Sequence, residues 1–331
     1  MRGRWGLLLA LLAVVLPAGA QDDAAEEEEA AEKSEAKRGS DDRLYVHVVR
    51  PGETLASVAQ RYYGDTRLEN VLVAENGLTV EGGAAIVVGL RLAVPHVIYH
   101  RVRDGETWND LATRYYGDPK RAFILIEAND GSIGKPPDGG AELLVPYPLR
   151  HVAEQGDTLV RVAKEFYGNG AYAKRLRRFN SIRGNRLKRG QIVLVPLMKL
   201  KLSDEGRKIV ASETGVEPAA GEVRELQERI DEQLPELREL GSHGRFTEVV
   251  ALGNQLLGAG RLTGNQIVTI HRQLAVSYVA LGRDDLAVRS FEVALGRQPD
   301  LELDAMRTAP TVMAAFRKAK ASSDEEADEE D

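Results

Sequence analysis

Three stretches of the chain repeat one another and decide its fold: HVVRPGETLASVAQRYYGDTRLENVLVAENG from His47, HRVRDGETWNDLATRYYGDPKRAFILIEAND from His100, and HVAEQGDTLVRVAKEFYGNGAYAKRLRRFNS from His151. Matching glycines keep offsets of 53 and then 51 residues, at Gly52, Gly105 and Gly156. Each stretch is followed by an apolar run that ends in proline, at Pro95, Pro146 and Pro196. A period of this length indicates tandem copies of one small folding unit.

Within one unit the residue pattern predicts a strand, two helices and a second strand. A short strand over 47–49 meets a turn at Gly52, where glycine tolerates a positive φ. Thr54 can cap a helix whose apolar residues recur at helical spacing. Asn76 ends a second helix, and the β-rich segment 86–94 returns as a second strand. We therefore expect three α+β modules of the βααβ type, each with its two strands paired antiparallel.

The repeats set the domain boundaries. We place unit one at residues 44–96, unit two at 97–149 and unit three at 150–198. Residues 199–220 have the composition of a linker. A helical domain is expected over 221–320.

The units resemble the LysM family. The resemblance rests on Gly-Glu-Thr-Leu at 52–55, Gly-Glu-Thr-Trp at 105–108 and Gly-Asp-Thr-Leu at 156–159, and on the asparagine that ends each second helix. The Tyr-Gly-Asp link in units one and two is similar to a longer variant common in bacterial envelope proteins. Glu53 and Glu106 depart from the family's usual Asp, and only unit three keeps the family pattern well after the asparagine, as RLKRGQIVLVP.

The resemblance implies binding of N-acetylglucosamine-containing chains, with peptidoglycan as the implied ligand, in a groove between the first turn and the loop after the second helix. The first turns supply Gly52, Glu53, Thr54 and Leu55; Gly105, Glu106, Thr107 and Trp108; and Gly156, Asp157, Thr158 and Leu159. The second loops supply Asn76 and Gly77; Asn129 and Asp130; and Asn180, Ser181 and Ile182. Backbone groups of an exposed loop suit the donor and acceptor of an N-acetyl group.

These positions also have a purely structural interpretation. Gly-Asp/Glu-Thr works as a turn plus a helix cap with no ligand. Trp108 can stack on a sugar face, but it replaces a leucine of its sister units and can equally fill the core. Both interpretations stay open at this stage.

The segment 221–320 has helical periodicity throughout, with a break expected near Pro235. Within it, 273–300 resembles a tetratricopeptide (TPR) repeat through Leu274, Tyr278, Gly282, Ala287, Phe291, Ala294 and Pro299. A degenerate copy is expected around Gly244, and a capping helix over 308–320. The resemblance implies a protein or peptide partner, which the sequence does not identify; packing without a partner is the alternative.

The two ends of the chain differ from its middle. Residues 1–20 join two arginines, an apolar run over 6–16 and an Ala-Gly-Ala site, the pattern of a secretory signal peptide. The apolar run is shorter than the ~20 residues that span a bilayer, so an uncleaved anchor is the weaker alternative and no stable membrane insertion is expected after cleavage. Residues 21–43 and 321–331 are acidic and lack large apolar side chains, so we expect both to be disordered.

Unit three is strongly basic. From Arg150 to Lys201 thirteen bases face three acids, although the whole chain has a net charge of −7. A basic surface can bind nucleic acid, but an exported protein rarely meets it, and no nucleic-acid partner is expected. Anionic envelope polymers, peptidoglycan carboxylates or the chain's own acidic ends fit better, and a solvated basic face without a ligand is as plausible.

The sequence lacks known catalytic motifs. The chain has no cysteine, and His47, His100 and His151 occupy one repeated strand position, so no metal site, cofactor or catalytic residue is expected. We expect a non-enzymatic glycan-binding protein of the periplasm or cell wall, with secretion possible and chitin-like chains not distinguished. One alternative is an envelope scaffold whose units contact proteins without glycan; ion sensing is a weaker one.

Overall fold

The computed structural model describes the backbone of residues 43–78 and 86–330, and the side chains of these segments as far as Ser322. The expected signal peptide at 1–20 and nearly all of the expected acidic segment at 21–43 lie outside the described residues.

The predicted βααβ order is confirmed in all three units. Unit one comprises β1 (Leu44–Val48), α1 (Leu55–Tyr63), α2 (Glu69–Glu75) and β2 (Arg91–Pro95). Unit two comprises β3 (Ile98–Arg101), α3 (Trp108–Tyr116), α4 (Ala122–Ala128) and β4 (Glu142–Val145). Unit three comprises β5 (Tyr147–Val152), α5 (Leu159–Tyr167), α6 (Ala173–Phe179) and β6 (Ile192–Leu197). A short 3-10 turn joins the two helices in every unit, at Thr66–Leu68, Pro119–Arg121 and Gly170–Tyr172.

Each unit has its own two-stranded antiparallel sheet. The first strand pairs with the last, so that His47 faces Leu92, His100 faces Leu143 and His151 faces Val193. The strand residues that face the helices are buried, among them Leu92, Leu143 and Val193. The alternation of buried and exposed residues fixes this register, because a slip of one residue would turn every side chain to the other face.

The three units pack against one another and are not separated by flexible linkers. Phe179 of unit three is buried against unit two, with its ring centroid 5.4 Å from that of Tyr116. The Arg121 guanidinium lies 4.9 Å from the centroid of the Phe179 ring, and its Nε donates to the Phe179 carbonyl at 3.0 Å. The guanidinium of Arg43, the residue just before unit one, lies 4.9 Å from the centroid of the Tyr115 ring of unit two. Cation–π contacts of this kind hold charged side chains at apolar interfaces.

The expected linker at 199–220 is wrong for half of its length. It contains α7 (Asp204–Thr214), capped by Ser203, whose backbone N–H also donates to the Tyr62 carbonyl at 2.7 Å. Gly206 packs so closely on Tyr62 that a Cβ would lie 2.6 Å from the Tyr62 carbonyl oxygen. The sequence shows a weak apolar pattern here because α7 buries only one narrow stripe against α1.

The predicted helical domain is confirmed and has five helices in the described residues. They are α8 (Glu222–Ser242), α9 (Phe246–Gly258), α10 (Gly264–Ala280), α11 (Asp284–Arg297) and α12 (Pro310–Glu330). One core includes Leu237 and Leu274, and a second is built around Phe291 and Phe316, whose ring centroids are 5.2 Å apart.

Two expectations for this domain are corrected. Helix α8 continues through Pro235 without ending. The proline is exposed, so water can hydrate the carbonyl that loses its partner, while Leu234 and Leu237 hold the helix on the core. Helix α12 extends to Glu330, into the segment that was expected to be disordered. Its first half is anchored by Phe316, and Ala and Glu then propagate the helix at low cost.

Candidate functional site

The first turn of each unit is exposed and depends on its glycine. Gly52, Gly105 and Gly156 have φ values of +81°, +83° and +92°, and no heavy atom lies within 4 Å of where their Cβ would stand. The glycines are therefore required by the backbone conformation and not by crowding. This leaves the turn open to an approaching ligand.

The threonines of the turn are helix caps. The hydroxyl oxygens of Thr54, Thr107 and Thr158 accept the backbone N–H groups three residues later, at 3.1, 3.3 and 3.2 Å. In units one and two the side-chain oxygens of Ser57 and Asp110 in turn accept the backbone N–H of the capping threonine. These contacts satisfy donors that a helix start leaves free, which is the structural interpretation of these positions.

The acids of the turn bind the first strand of their own unit. Glu53, Glu106 and Asp157 each accept a backbone N–H at 2.8 Å, from Arg50, Arg103 and Glu154. The same carboxylates contact the Nε2 atoms of His47, His100 and His151, at 2.8, 2.7 and 3.3 Å.

In units one and two these contacts lower the pKa of the acid. Burial raises the pKa of Glu53, but hydrogen bonds from the Arg50 N–H, His47 and Arg61 outweigh it and lower the pKa from 4.5 to about 2. In Glu106, too, hydrogen bonds from the Arg103 N–H and His100 outweigh burial, so its pKa is lowered. The repeated histidines thus position the turn. The sequence signal for this pairing, a constant spacing of six residues between His47 and Glu53 and their counterparts, went unused.

The fourth residue of each turn belongs to the core. Leu55, Trp108 and Leu159 are 6%, 8% and 0% exposed. The indole Nε1 of Trp108 donates to the Lys135 carbonyl at 2.9 Å, and a Cβ on Gly131 would lie 2.8 Å from the ring. In this conformation the indole fills the space under the second loop of unit two and does not present a face for stacking.

The asparagines tie the second helix of each unit to its last strand. The Asn180 amide donates to the carbonyls of Leu176 and Leu194, at 2.9 and 2.8 Å, and its oxygen accepts the Leu194 N–H at 2.8 Å. Asn76 makes the same three contacts with Leu72 and Ala93. Asn129 makes them with Leu125 and Leu144. The side-chain amides are therefore used within the fold.

The residue after each asparagine turns the chain away from the helix. Gly77, Asp130 and Ser181 have φ values of +61°, +52° and +51°. Ile182 is half-buried and its N–H donates to the Arg177 carbonyl at 3.1 Å. The second loop therefore begins in a conformation that non-glycine residues adopt at some cost, which fixes its path.

In unit three the two loops meet. The Leu159 N–H donates to the Asn185 carbonyl at 2.8 Å, and the Leu187 N–H donates to the Asp157 carbonyl at 3.1 Å. Thr158 and Arg186 pair as an isolated antiparallel bridge between these bonds. The structure thus brings 157–159 beside 185–187, and it leaves Gly156 and Ser181 exposed.

Unit two differs because the helical domain is bound to it. The Gly264 N–H donates to the Gly139 carbonyl at 2.8 Å. Gln227 donates to the Gly140 carbonyl at 2.9 Å and accepts the Glu142 N–H at 3.0 Å. These contacts hold the loop before β4, next to Asp104, and the turn at Gly105 itself stays exposed.

Two further contacts extend this interface. Arg224 donates to the Asn129 side-chain oxygen at 2.6 Å, and Arg297 lies 3.2 Å from the Asp104 carboxylate. Sequence reasoning missed the interface, since its partners lie far apart in the chain.

Among the described residues, no group of three or more His, Asp or Glu side chains could hold a metal ion. Over residues 43–78 and 86–330, none of the helices combines the length and apolar character needed to cross a membrane.

Comparison with known proteins gives two kinds of similarity. Two esterases, from two strains of Mycobacterium tuberculosis, are each 33% identical over 125 residues, which is 38% of this chain and 27% of theirs. The chain thus spans about a quarter of the length of these relatives. Both relatives are named esterases, and this contradicts the expectation that the protein is non-enzymatic. The finding rests on the 38% of this chain that aligns with them. No solved structure matches the chain.

A family model for the LysM domain matches residues 47–95 and 151–196, within units one and three. Unit two lies outside the matched residues. LysM domains generally bind peptidoglycan and other N-acetylglucosamine-containing glycans, and two regions of this chain are similar to them.

Proposed function

We propose that the chain binds N-acetylglucosamine-containing glycan, with peptidoglycan as the main ligand, through LysM-like units, and carries a TPR-like protein-interaction domain to the cell envelope. The observation that carries this proposal is the meeting of the two loops in unit three. There residues 157–159 are bonded to residues 185–187, Gly156 and Ser181 beside them are exposed, and all lie inside a region that matches the LysM family.

The groove recognises its ligand mainly through backbone groups. The side chains of Thr158 and Asn180 are already bonded within the fold, and Leu159 is fully buried. An N-acetyl group needs one acceptor and one donor, which exposed loop carbonyls and N–H groups supply. Single units then bind weakly, and tandem units on one polymer gain through effective concentration.

We also propose that unit two is a third copy of the LysM-like module. It has the same asparagine contacts and the same acid–histidine pair as its neighbours. Its loop, however, is held by Gln227 and Gly264 of the helical domain. This observation favours the scaffold alternative for unit two, in which the module serves a protein contact.

The helical domain supports a TPR-like assignment through two matching turns. Gly244 and Gly282 have φ values of +72° and +69° and follow the first helix of each hairpin. A Cβ on Gly253 would lie 2.8 Å from the Leu274 side chain, so α9 and α10 pack closely. We propose a protein or peptide partner here. The signal-like sequence at 1–20 and the two LysM-like regions support a location in the periplasm or cell wall.

Co-sedimentation of the chain from Gln21 with purified peptidoglycan tests the proposal. Asn185 and Lys135 are exposed and occupy matching positions in the second loops. The Asn185 carbonyl accepts the backbone N–H of Leu159, and the Lys135 carbonyl accepts the indole N–H of Trp108. Asn185→Trp should fill the groove of unit three and weaken binding by about tenfold, on the order of 1.4 kcal/mol. Lys135→Trp is the matched control in unit two.

The outcomes separate the alternatives. Saturable binding that Asn185→Trp weakens more than Lys135→Trp supports glycan recognition by unit three. Absence of binding by the unaltered chain contradicts the proposal and favours the scaffold. Hydrolysis of a chromogenic ester is measured on the same preparation, because both relatives are named esterases.

A further inference from the structure

The second loop of unit three differs in charge from its counterparts. Residues 180–191 contain four bases and no acid: Arg183, Arg186, Lys188 and Arg189. The matching loop of unit two, 129–141, has one base against two acids, and that of unit one, 76–90, has one acid and no base. The charge therefore belongs to this loop and not to the repeated fold.

The fold places these bases along the candidate groove. Arg186 pairs through its backbone with Thr158, between the bonds that Asn185 and Leu187 make to the first turn. Arg183 lies two residues after Ser181, where the loop begins. A glycan in the groove would thus have positive charge along one side.

The four bases are available to a ligand. All are exposed, and among the described residues none has a carboxylate within ion-pair distance. Two other bases of unit three do have a carboxylate partner: Arg175 pairs with Glu127, and Arg161 lies 3.7 Å from Asp157. Four like charges on one short loop repel one another, and a bound anion relieves that repulsion.

We propose that unit three recognises a glycan that carries carboxylates, with the groove holding the N-acetyl groups and the loop 183–189 binding the carboxylates. This inference rests on the proposed glycan binding and names the ligand class. Single-stranded nucleic acid fits less well. Protein sites that bind it combine basic side chains with aromatic side chains on which the nucleobases stack, and residues 180–191 contain no aromatic side chain.

The test compares three soluble ligands of equal length on the chain from Gln21: a neutral N-acetylglucosamine oligomer, an oligomer alternating N-acetylglucosamine with N-acetylmuramic acid, and the same oligomer with its carboxylates amidated. The charge-removed variant is Arg183→Gln, Arg186→Gln, Lys188→Gln and Arg189→Gln. A matched control removes four exposed bases of the helical domain: Arg229→Gln, Arg238→Gln, Arg289→Gln and Arg317→Gln.

We expect the unaltered chain to bind the carboxylate oligomer about tenfold more tightly than the amidated one at low ionic strength, since each exposed pair contributes little alone. The charge-removed variant should lose this preference and keep its affinity for the neutral oligomer. The control should keep the preference. Raising the salt from about 0.05 M to about 0.5 M should remove most of it.

Several results would overturn the proposal. Equal affinity for the carboxylate and amidated oligomers would do so, as would a preference that survives in the charge-removed variant. Competition by single-stranded DNA as strong as that by the carboxylate oligomer would show non-specific anion binding and also overturn it. Failure of the neutral oligomer alone overturns the proposed N-acetyl recognition, while a retained carboxylate preference would still support the charged loop.

Discussion

Unit two and unit three share a fold but use their second loops differently. In unit two the Trp108 indole fills the space under the loop, and the helical domain holds the loop near Gly140. In unit three the smaller Leu159 stands in place of the indole, and the second loop bonds directly to the backbone of the first turn. This loop is basic and exposed. The comparison teaches that the asparagine and threonine contacts build the frame, while the loop determines what a unit contacts.

The largest effect should come from removing the indole of unit two. Trp108→Ala deletes a nearly buried ring and leaves the Lys135 carbonyl without its donor, so we expect a loss of about 3–5 kcal/mol in the free energy of unfolding. Trp108→Leu, which restores the residue of the sister units, should cost clearly less. Denaturant unfolding measures both. A loss under about 1 kcal/mol for Trp108→Ala would show that the ring does not support the loop.

The frame should respond equally in both units. Asn129→Ala and Asn180→Ala each remove the partner of one carbonyl and one N–H of the last strand, those of Leu144 and of Leu194. We expect each variant to lose about 2–3 kcal/mol in the free energy of unfolding. Similar unfolding free energies for the two variants, measured in denaturant, would confirm a common frame. A loss confined to Asn180→Ala would mean that unit two is held mainly by the helical domain.

The sequence was most informative where contacts are local. The turn at Gly52, the cap at Thr54 and the βααβ order follow from residues a few positions apart. The role of Asn76 did not follow, because its amide reaches Ala93, 17 residues further on. A local pattern marks this asparagine as a helix end and a ligand candidate, whereas the structure shows it bonding a strand.

Contacts between domains were still less accessible to prediction. The Asn265 N–H binds Asp138 across 127 residues, and neither residue stands out in its own segment. Helix α7 was missed for a related reason: it is stabilised by packing on Tyr62 and not by a strong pattern of its own. Trp108 remained ambiguous from sequence, since the residues that surround it come from the loop and not from its helix.

Unit one adds a pH-dependent contribution to stability, through the carboxylate of Glu53. Because the pKa of Glu53 is lowered to about 2 from 4.5, this carboxylate stabilises the fold above pH 4.5 and loses that contribution as the pH falls toward 2. We expect this contribution to be on the order of 2 kcal/mol. Glu53→Gln should therefore destabilise the chain at pH 7 and show a smaller further loss between pH 5 and pH 2. Unfolding curves across this range, with an exposed control such as Glu248→Gln, measure the difference. Parallel losses in both variants would contradict the assigned role of Glu53.

The smallest effect should be on the contact that sets unit two apart. Gln227 is buried, and its side chain bonds Gly140, Glu142 and Arg261. Gln227→Ala should free the loop before β4, so we expect amide hydrogen exchange there to accelerate by about tenfold, on the order of 1–2 kcal/mol of local opening. Glu232→Ala, exposed on the same helix, is the control.

The response of the other units decides what this contact does. Exchange in the second loop of unit three should stay unchanged, because that loop is bonded to Asp157 and Leu159 of its own unit. Acceleration in both loops would show that the helical domain stabilises units two and three together. Acceleration in unit two alone, with glycan affinity unchanged, would support a division in which unit two holds the helical domain while unit three meets the glycan.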